Sequence, residues 1–131
     1  MRSVLFVDDD PTVLRTFPRV FRRDPFEVVT APLASAALEV LAAREISIVV
    51  SDHRMPGMLG LDLLGVIATR YPRVGRVLLT GDTGSLWEDE AALAIAHAVL
   101  RKPSTPDDIR ATIALVGTII SSATLTSVAA S

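Results

Sequence analysis

The chain has no cysteine, which excludes disulfide bridges and thiolate-ligated metals and is compatible with a reducing compartment. It has no basic excess either. Its 13 Lys and Arg against 15 Asp and Glu leave a net charge of -2, so direct nucleic-acid binding is not expected. No long apolar run opens the chain: Val4-Leu5-Phe6-Val7 stops at three aspartates and is too short for a signal peptide. Charge is missing altogether after Arg110, where Ile113, Leu115, Val116, Ile119 and Ile120 are strongly apolar. Thr112, Gly117, Thr118, Ser121, Ser122, Thr124, Thr126 and Ser127 interrupt that stretch too often for the ~20 predominantly apolar residues of a membrane span. An amphipathic helix running into a loose tail of small residues is expected instead. Repeats, low-complexity tracts and interdomain linkers are also lacking. The expectation is one domain over residues 1–120, long enough to bury a real core, and a C-terminal tail or linker stub at 121–131. A cytoplasmic location with no membrane contact is expected.

What is present alternates. Ser3-Val4-Leu5-Phe6-Val7 is a short β-branched and aromatic run, as in a strand buried on both faces. Pro11 then opens a helix in which Val13, Leu14, Phe17, Val20 and Phe21 recur at helical spacing. Pro18 inside it predicts a kink or a helix in two pieces. Strands are predicted again over 26–30, 46–50, 76–80 and 98–100. Between them lie helices from Pro32 to about Ala43, from Gly60 to about Tyr71 and from Ser85 to about Ala96. A last helix starts at Ser104 or Thr105, with Asp107 and Asp108 in its first turn as the helix dipole prefers. Five strands alternating with five helices predict an α/β fold: a single doubly wound parallel sheet covered on both faces.

In such a sheet all carboxyl ends lie along one edge, and ligands bind in the crevice beyond it. The strand ends here deliver Asp8-Asp9-Asp10, Asp52, Thr80 and Lys102 to that edge. Each alone has an ordinary explanation, Asp52 above all, since a lone aspartate at a strand end is commonly a turn former. As a set they point to chemistry. Crowded carboxylates favour a bound divalent cation, and with only oxygen ligands Mg²⁺ is the natural candidate. A carboxylate beside Mg²⁺ is a nucleophile toward phosphorus, and a Lys ammonium with a Thr hydroxyl suits the transferred group's equatorial oxygens.

Val7-Asp8-Asp9-Asp10-Pro11, Val50-Ser51-Asp52-His53-Arg54-Met55-Pro56-Gly57-Met58, Thr80-Gly81 and Lys102-Pro103 occur in the order found in another family. Through these motifs the chain resembles, over about residues 1–120, the response-regulator receiver domain of bacterial two-component signalling. The resemblance implies a flavodoxin-like fold with strand order 2-1-3-4-5 and phosphorylation at Asp52. It implies Mg²⁺ (or Mn²⁺) held by Asp8, Asp9, Asp52 and the backbone carbonyl of Arg54, with Thr80 as switch hydroxyl and Lys102 as phosphate-binding cation. The Lys102–Pro103 peptide is expected to be cis. A sensor histidine kinase or phosphotransfer protein would be the donor, and an output domain or a homodimer would carry the signal. The implied role is signalling, not enzymatic, beyond self-catalysed phosphoryl transfer and autodephosphorylation.

Val99 stands three positions before the lysine, where many members carry Tyr or Phe, and cannot supply a swinging ring. Arg54 and Asp82 are an expected ion pair across the phosphate's access route; with Val99 they are candidate modulators. Asp10 is expected to cap the first helix, and His53 and His97 to be structural, for want of any metal-ligand spacing. Trp87 is either a surface anchor or a packing residue. Two rival readings stand beside this one. Asp8-x-Asp10-x-Thr12 is similar to the nucleophile motif of haloacid-dehalogenase-type phosphatases, with Asp8 as nucleophile and Asp10 as general acid/base. In the other, the chain is an interaction module that is never phosphorylated.

Overall fold

The structure, a computed structural model, describes residues 2–81 and 90–130. Strands β1 (Arg2–Val7), β2 (Phe26–Ala31), β3 (Ile48–Asp52), β4 (Gly75–Thr80) and β5 (Ala98–Arg101) form one sheet in the order β2-β1-β3-β4-β5. Every neighbouring pair is parallel. Helices α1 (Pro11–Val20), α2 (Ala34–Ala43), α3 (Gly60–Arg70), α4 (Glu90–Ile95) and α5 (Pro106–Ala130) alternate with the strands. The expected start of α4 at Ser85, together with Trp87 and Asp82, lies outside the described residues.

Strand alternation splits the core in two. Leu5, Val7, Val49 and Leu78 point to the side covered by α2 and α3. Val4, Phe6, Ile48, Val50, Val77 and Leu79 point to the side covered by α1 and α5. On that second side Phe6 stacks on Phe17 at 4.3 Å and on Phe21 at 5.4 Å between ring centroids. A fully buried ring with two stacked neighbours cannot be removed without leaving a cavity, so Phe6→Ala should lower unfolding free energy by about 3–5 kcal/mol. Denaturant midpoints at an unchanged slope would register it; a loss below about 1 kcal/mol would mean the stack contributes little.

α1 is one element, not two pieces, although Pro18 in its last turn has no N–H to offer the Leu14 carbonyl. α2 begins at Ala34 and not at Pro32, because Leu33 stays fully extended at the N-cap. The backbone of α5 stays helical through Ala130 where a loose tail was expected, since no proline or glycine follows Gly117 to break it. The start of α5 is held by a reciprocal cap, Thr105 N–H donating to Asp108 Oδ2 and Asp108 N–H to Thr105 Oγ1, each at 3.1 Å. One turn on, Arg110 Nε donates to both Asp24 carboxylate oxygens, at 2.8 and 3.0 Å, and Nη2 donates to the Val20 carbonyl at 3.0 Å. That fork ties α5 to the end of α1. Among the described residues, no helix is long and apolar enough to cross a membrane.

Candidate functional site

The carboxyl ends of β1 and β3 are adjacent because the two strands pair in register, Val7 opposite Ser51. The next residues along, Asp8 and Asp52, therefore arrive side by side. Asp8 N–H continues the ladder to the Ala31 carbonyl at 3.2 Å, and Asp8 is only 3% exposed. Its Oδ1 accepts the Asp10 N–H at 2.9 Å, which folds the acidic loop back over the strand end. Asp9, on the exposed outer side of that loop, joins them. One carboxylate oxygen from each of Asp8, Asp9 and Asp52 lies within 4.8 Å of the others. Asp10 is not part of the group: its Oδ1 accepts the Thr12 N–H at 2.9 Å and caps α1, as expected.

Lys102 reaches the cluster from the end of β5. Its Nζ lies 2.9 Å from Asp52 Oδ1 and 3.8 Å from Asp8 Oδ2. Its backbone N–H donates to the Thr80 carbonyl at 2.8 Å, so the ends of β4 and β5 stay in step and buried Thr80 sits on the same edge. The Lys102–Pro103 peptide is cis. Burial raises the Asp8 carboxyl above the usual aspartate range; the Asp52 and Asp9 charges add to this, opposed by the Asp10 N–H and by Lys102. One ammonium shared between two carboxylates leaves the site short of positive charge. The donor set is three carboxylate oxygens, which fits a hard divalent cation of the Mg²⁺ class.

The loop after β3 is shaped by three residues. Met55, 7% exposed, anchors it in the core. Gly57 turns it at φ +86°, a conformation other residues rarely adopt. Gly60, the first residue of α3, lets the helix approach the end of β3 until Gly60 N–H donates to the His53 carbonyl at 2.7 Å. His53 is buried, with its N–H 2.9 Å from Asp52 Oδ1 and its Nδ1 accepting the Leu61 N–H at 3.3 Å. It thus fixes the carboxylate and satisfies an open amide at the start of α3, a structural part as expected. His97 is structural too, and remote: its Nδ1 accepts the Arg76 N–H at 3.0 Å, while Arg76 Nε donates to the Ile95 carbonyl at 2.7 Å. Burial, then the Arg76 charge, lowers the His97 pKa.

The expected partner of Arg54, Asp82, is outside the described residues, and Arg54 itself is exposed. Val99 is half-buried and packs into the α2/α3 side of the core. Sequence reasoning missed the part played by Gly60. The available signal was a glycine, a poor helix former, at the first position of a helix just after the acidic strand end.

The response regulator receiver domain family matches residues 4–114. The response regulator protein FleR of Pseudomonas aeruginosa is 42% identical over 78 residues, 60% of this chain and 16% of its own length. The DNA-binding transcriptional regulator NtrC of Escherichia coli is 31% identical over 118 residues, 90% of this chain and 24% of its own length. The chain therefore spans less than a quarter of these two relatives. Among solved structures, a response regulator receiver domain protein from Clostridium thermocellum superposes with a TM-score of 0.81 at 28% identity, covering 90% of this chain and 95% of its own.

Proposed function

The chain belongs to the response regulator receiver domain family of two-component systems, and from that premise we propose that Asp52 is its phosphoryl acceptor. The observation that carries the reading is the grouping at one sheet edge: the Asp52 carboxylate, Lys102 Nζ 2.9 Å from it, and the Asp8 and Asp9 oxygens within 4.8 Å. The donor is a sensor histidine kinase or a phosphotransfer protein. An Asp52 oxygen attacks phosphorus, the new O–P bond forms as the donor's N–P bond breaks, and the imidazole leaves with its electron pair. Lys102, already against Asp52, neutralises charge on the equatorial oxygens, and the Thr80 hydroxyl would join it there. Asp8, Asp9, Asp52 and the Arg54 carbonyl would hold Mg²⁺ (or Mn²⁺), which when bound supplies electrostatic stabilisation of the transferred group. The phosphoryl group carries about 1.5–2 negative charges in place of the single charge of the Asp52 carboxylate, and its oxygens draw Thr80 and Lys102 inward and bias the loops after β4 and β5. The domain acts as a signalling module in the cytoplasm, handing the change to an output domain or a second copy; it does not turn over a free substrate.

The test is to incubate the chain with acetyl phosphate and Mg²⁺ and map the modified residue by mass spectrometry. Incorporation at Asp52 is expected. Incorporation at Asp8 with Asp52 untouched would return the phosphatase-type reading. No incorporation at all would leave the interaction module.

A linked pH effect is expected. Because the Asp8 pKa is raised on folding, the folded chain holds this proton where the unfolded chain has lost it. Metal-free stability therefore falls as pH rises from about 4 through the raised value. Mg²⁺ needs the ionised form, so its stabilisation grows over that window, reaching about 1.4 kcal/mol at tenfold excess over Kd. Melting temperatures with and without Mg²⁺ across a series from about pH 4 to pH 7.5 check this; a gain that stays constant over the whole series would count against Asp8 as a ligand.

A further inference from the structure

At the opposite edge of the sheet, α5 and the amino ends of β1, β2 and β3 enclose a groove of about 940 Å³. That is within the range of small-molecule sites. Phe26 and Ile113 line it as apolar surface, and the charged groups around it divide into matched and unmatched ones. Arg110 is matched, forked onto Asp24 and bonded to Asp107 at 2.8 Å. Arg2 is not: its guanidinium reaches only neutral acceptors, Ser121 Oγ at 3.0 Å and the Gly117 carbonyl at 3.4 Å, with no carboxylate partner among the described residues. It has a seat, however, because it lies where a side chain at position 117 would collide with it; glycine there leaves the space. Glu45 is also unmatched, with no ion pair or hydrogen bond among the described residues, and lines the same groove. The Ser47 N–H donates to the Ser3 carbonyl at 2.9 Å, so the lead-in of β3 runs beside β1, and Glu45 and Arg2 line one groove.

We propose that this groove binds a small zwitterion with an apolar body, of the chemical class of an apolar α-amino acid. Its carboxylate meets Arg2, its ammonium meets Glu45, and its side chain covers Phe26 and Ile113. An anion without the ammonium leaves Glu45 unanswered; a cation without the carboxylate leaves Arg2 unanswered. The groove is at the sheet edge remote from Asp52, so the site is independent of the phosphoryl-acceptor reading.

Isothermal titration of the full chain with L-phenylalanine, phenylacetate and phenethylamine tests it. L-Phenylalanine is expected to bind with one-to-one stoichiometry, and the two singly charged analogues at least about tenfold more weakly, as for the loss of one charge-assisted contact. Arg2→Gln and Glu45→Gln should each weaken L-phenylalanine by a similar factor. Glu45→Gln breaks no contact among the described residues, so a wild-type melting temperature is expected and its binding loss is interpretable. Three results would overturn the proposal: no heat with L-phenylalanine, L-leucine or L-tryptophan at millimolar concentration, binding unchanged in both variants, or phenylacetate binding as tightly as L-phenylalanine.

Discussion

Asp52→Asn is expected to eliminate phosphoryl incorporation from acetyl phosphate while leaving the fold intact. Asn keeps the shape and an oxygen that can still accept the His53 N–H, now 2.9 Å from Asp52 Oδ1, and the Lys102 ammonium. What it lacks is an ionised oxygen able to attack phosphorus. It also removes one of the charges that raise the Asp8 carboxyl. The substituted chain should therefore melt no lower than the parent in the absence of metal, and Mg²⁺ should stabilise it less. Two readouts separate the outcomes: mass spectrometry for the phosphoryl group and melting with and without Mg²⁺. Labelling that persists would place the acceptor elsewhere; labelling lost together with a large fall in melting temperature would mean that Asp52 is chiefly structural.

Gly60→Ala should produce the largest change in stability of any conservative substitution at the site. A Cβ at position 60 collides with the Asp52 carbonyl oxygen and stands 2.8 Å from both the Asp52 carbonyl carbon and His53 Cα. All three are backbone atoms of the strand end, so no side chain can swing aside. Either α3 retreats and loses the 2.7 Å bond to the His53 carbonyl, or the end of β3 moves and carries Asp52 away from Asp8. A cost of about 3 kcal/mol is expected, the upper part of the usual overpacking range, with the melting temperature falling about 10 °C. Labelling of Asp52 should fall at temperatures where the protein is still folded. Gly81→Ala is the control, since a Cβ there meets nothing within 4 Å among the described residues and should leave both readouts unchanged. If the two substitutions behaved alike, close approach at position 60 would not matter.

The site was largely legible because its logic is topological. Once the strands are recognised as parallel, their carboxyl ends must converge, and Asp8, Asp52, Thr80 and Lys102 converge with them. The capping part of Asp10 was legible for a local reason: an acceptor two residues before Thr12 at a helix start has few other uses. Contacts between elements far apart in sequence were not. Nothing near Arg110 signals that it forks onto Asp24, 86 residues earlier, and nothing near Arg76 signals His97. These pairs depend on how helices pack, which local periodicity does not encode. The start of α2 was missed for a smaller reason. Pro32 suits the first turn of a helix, but Leu33 is extended and takes the cap position itself.

The two ends of the chain depend on each other, with consequences for how it is made. β1 is synthesised before the other strands, yet it is an interior strand of the sheet and its Val4 and Phe6 are covered in part by Ile109, Ile113 and Val116 of α5. Arg2 reaches Gly117 and Ser121 across separations of 115 and 119 residues. On the ribosome, then, the strands emerge well before the helix that shields one side of them. Until α5 is released, that apolar surface stays open to water and to other nascent chains, which makes it the stage at which aggregation competes with folding. Closing a loop of this length is slow relative to forming local helices, so docking of α5 is the natural last step in the vectorial folding of the domain.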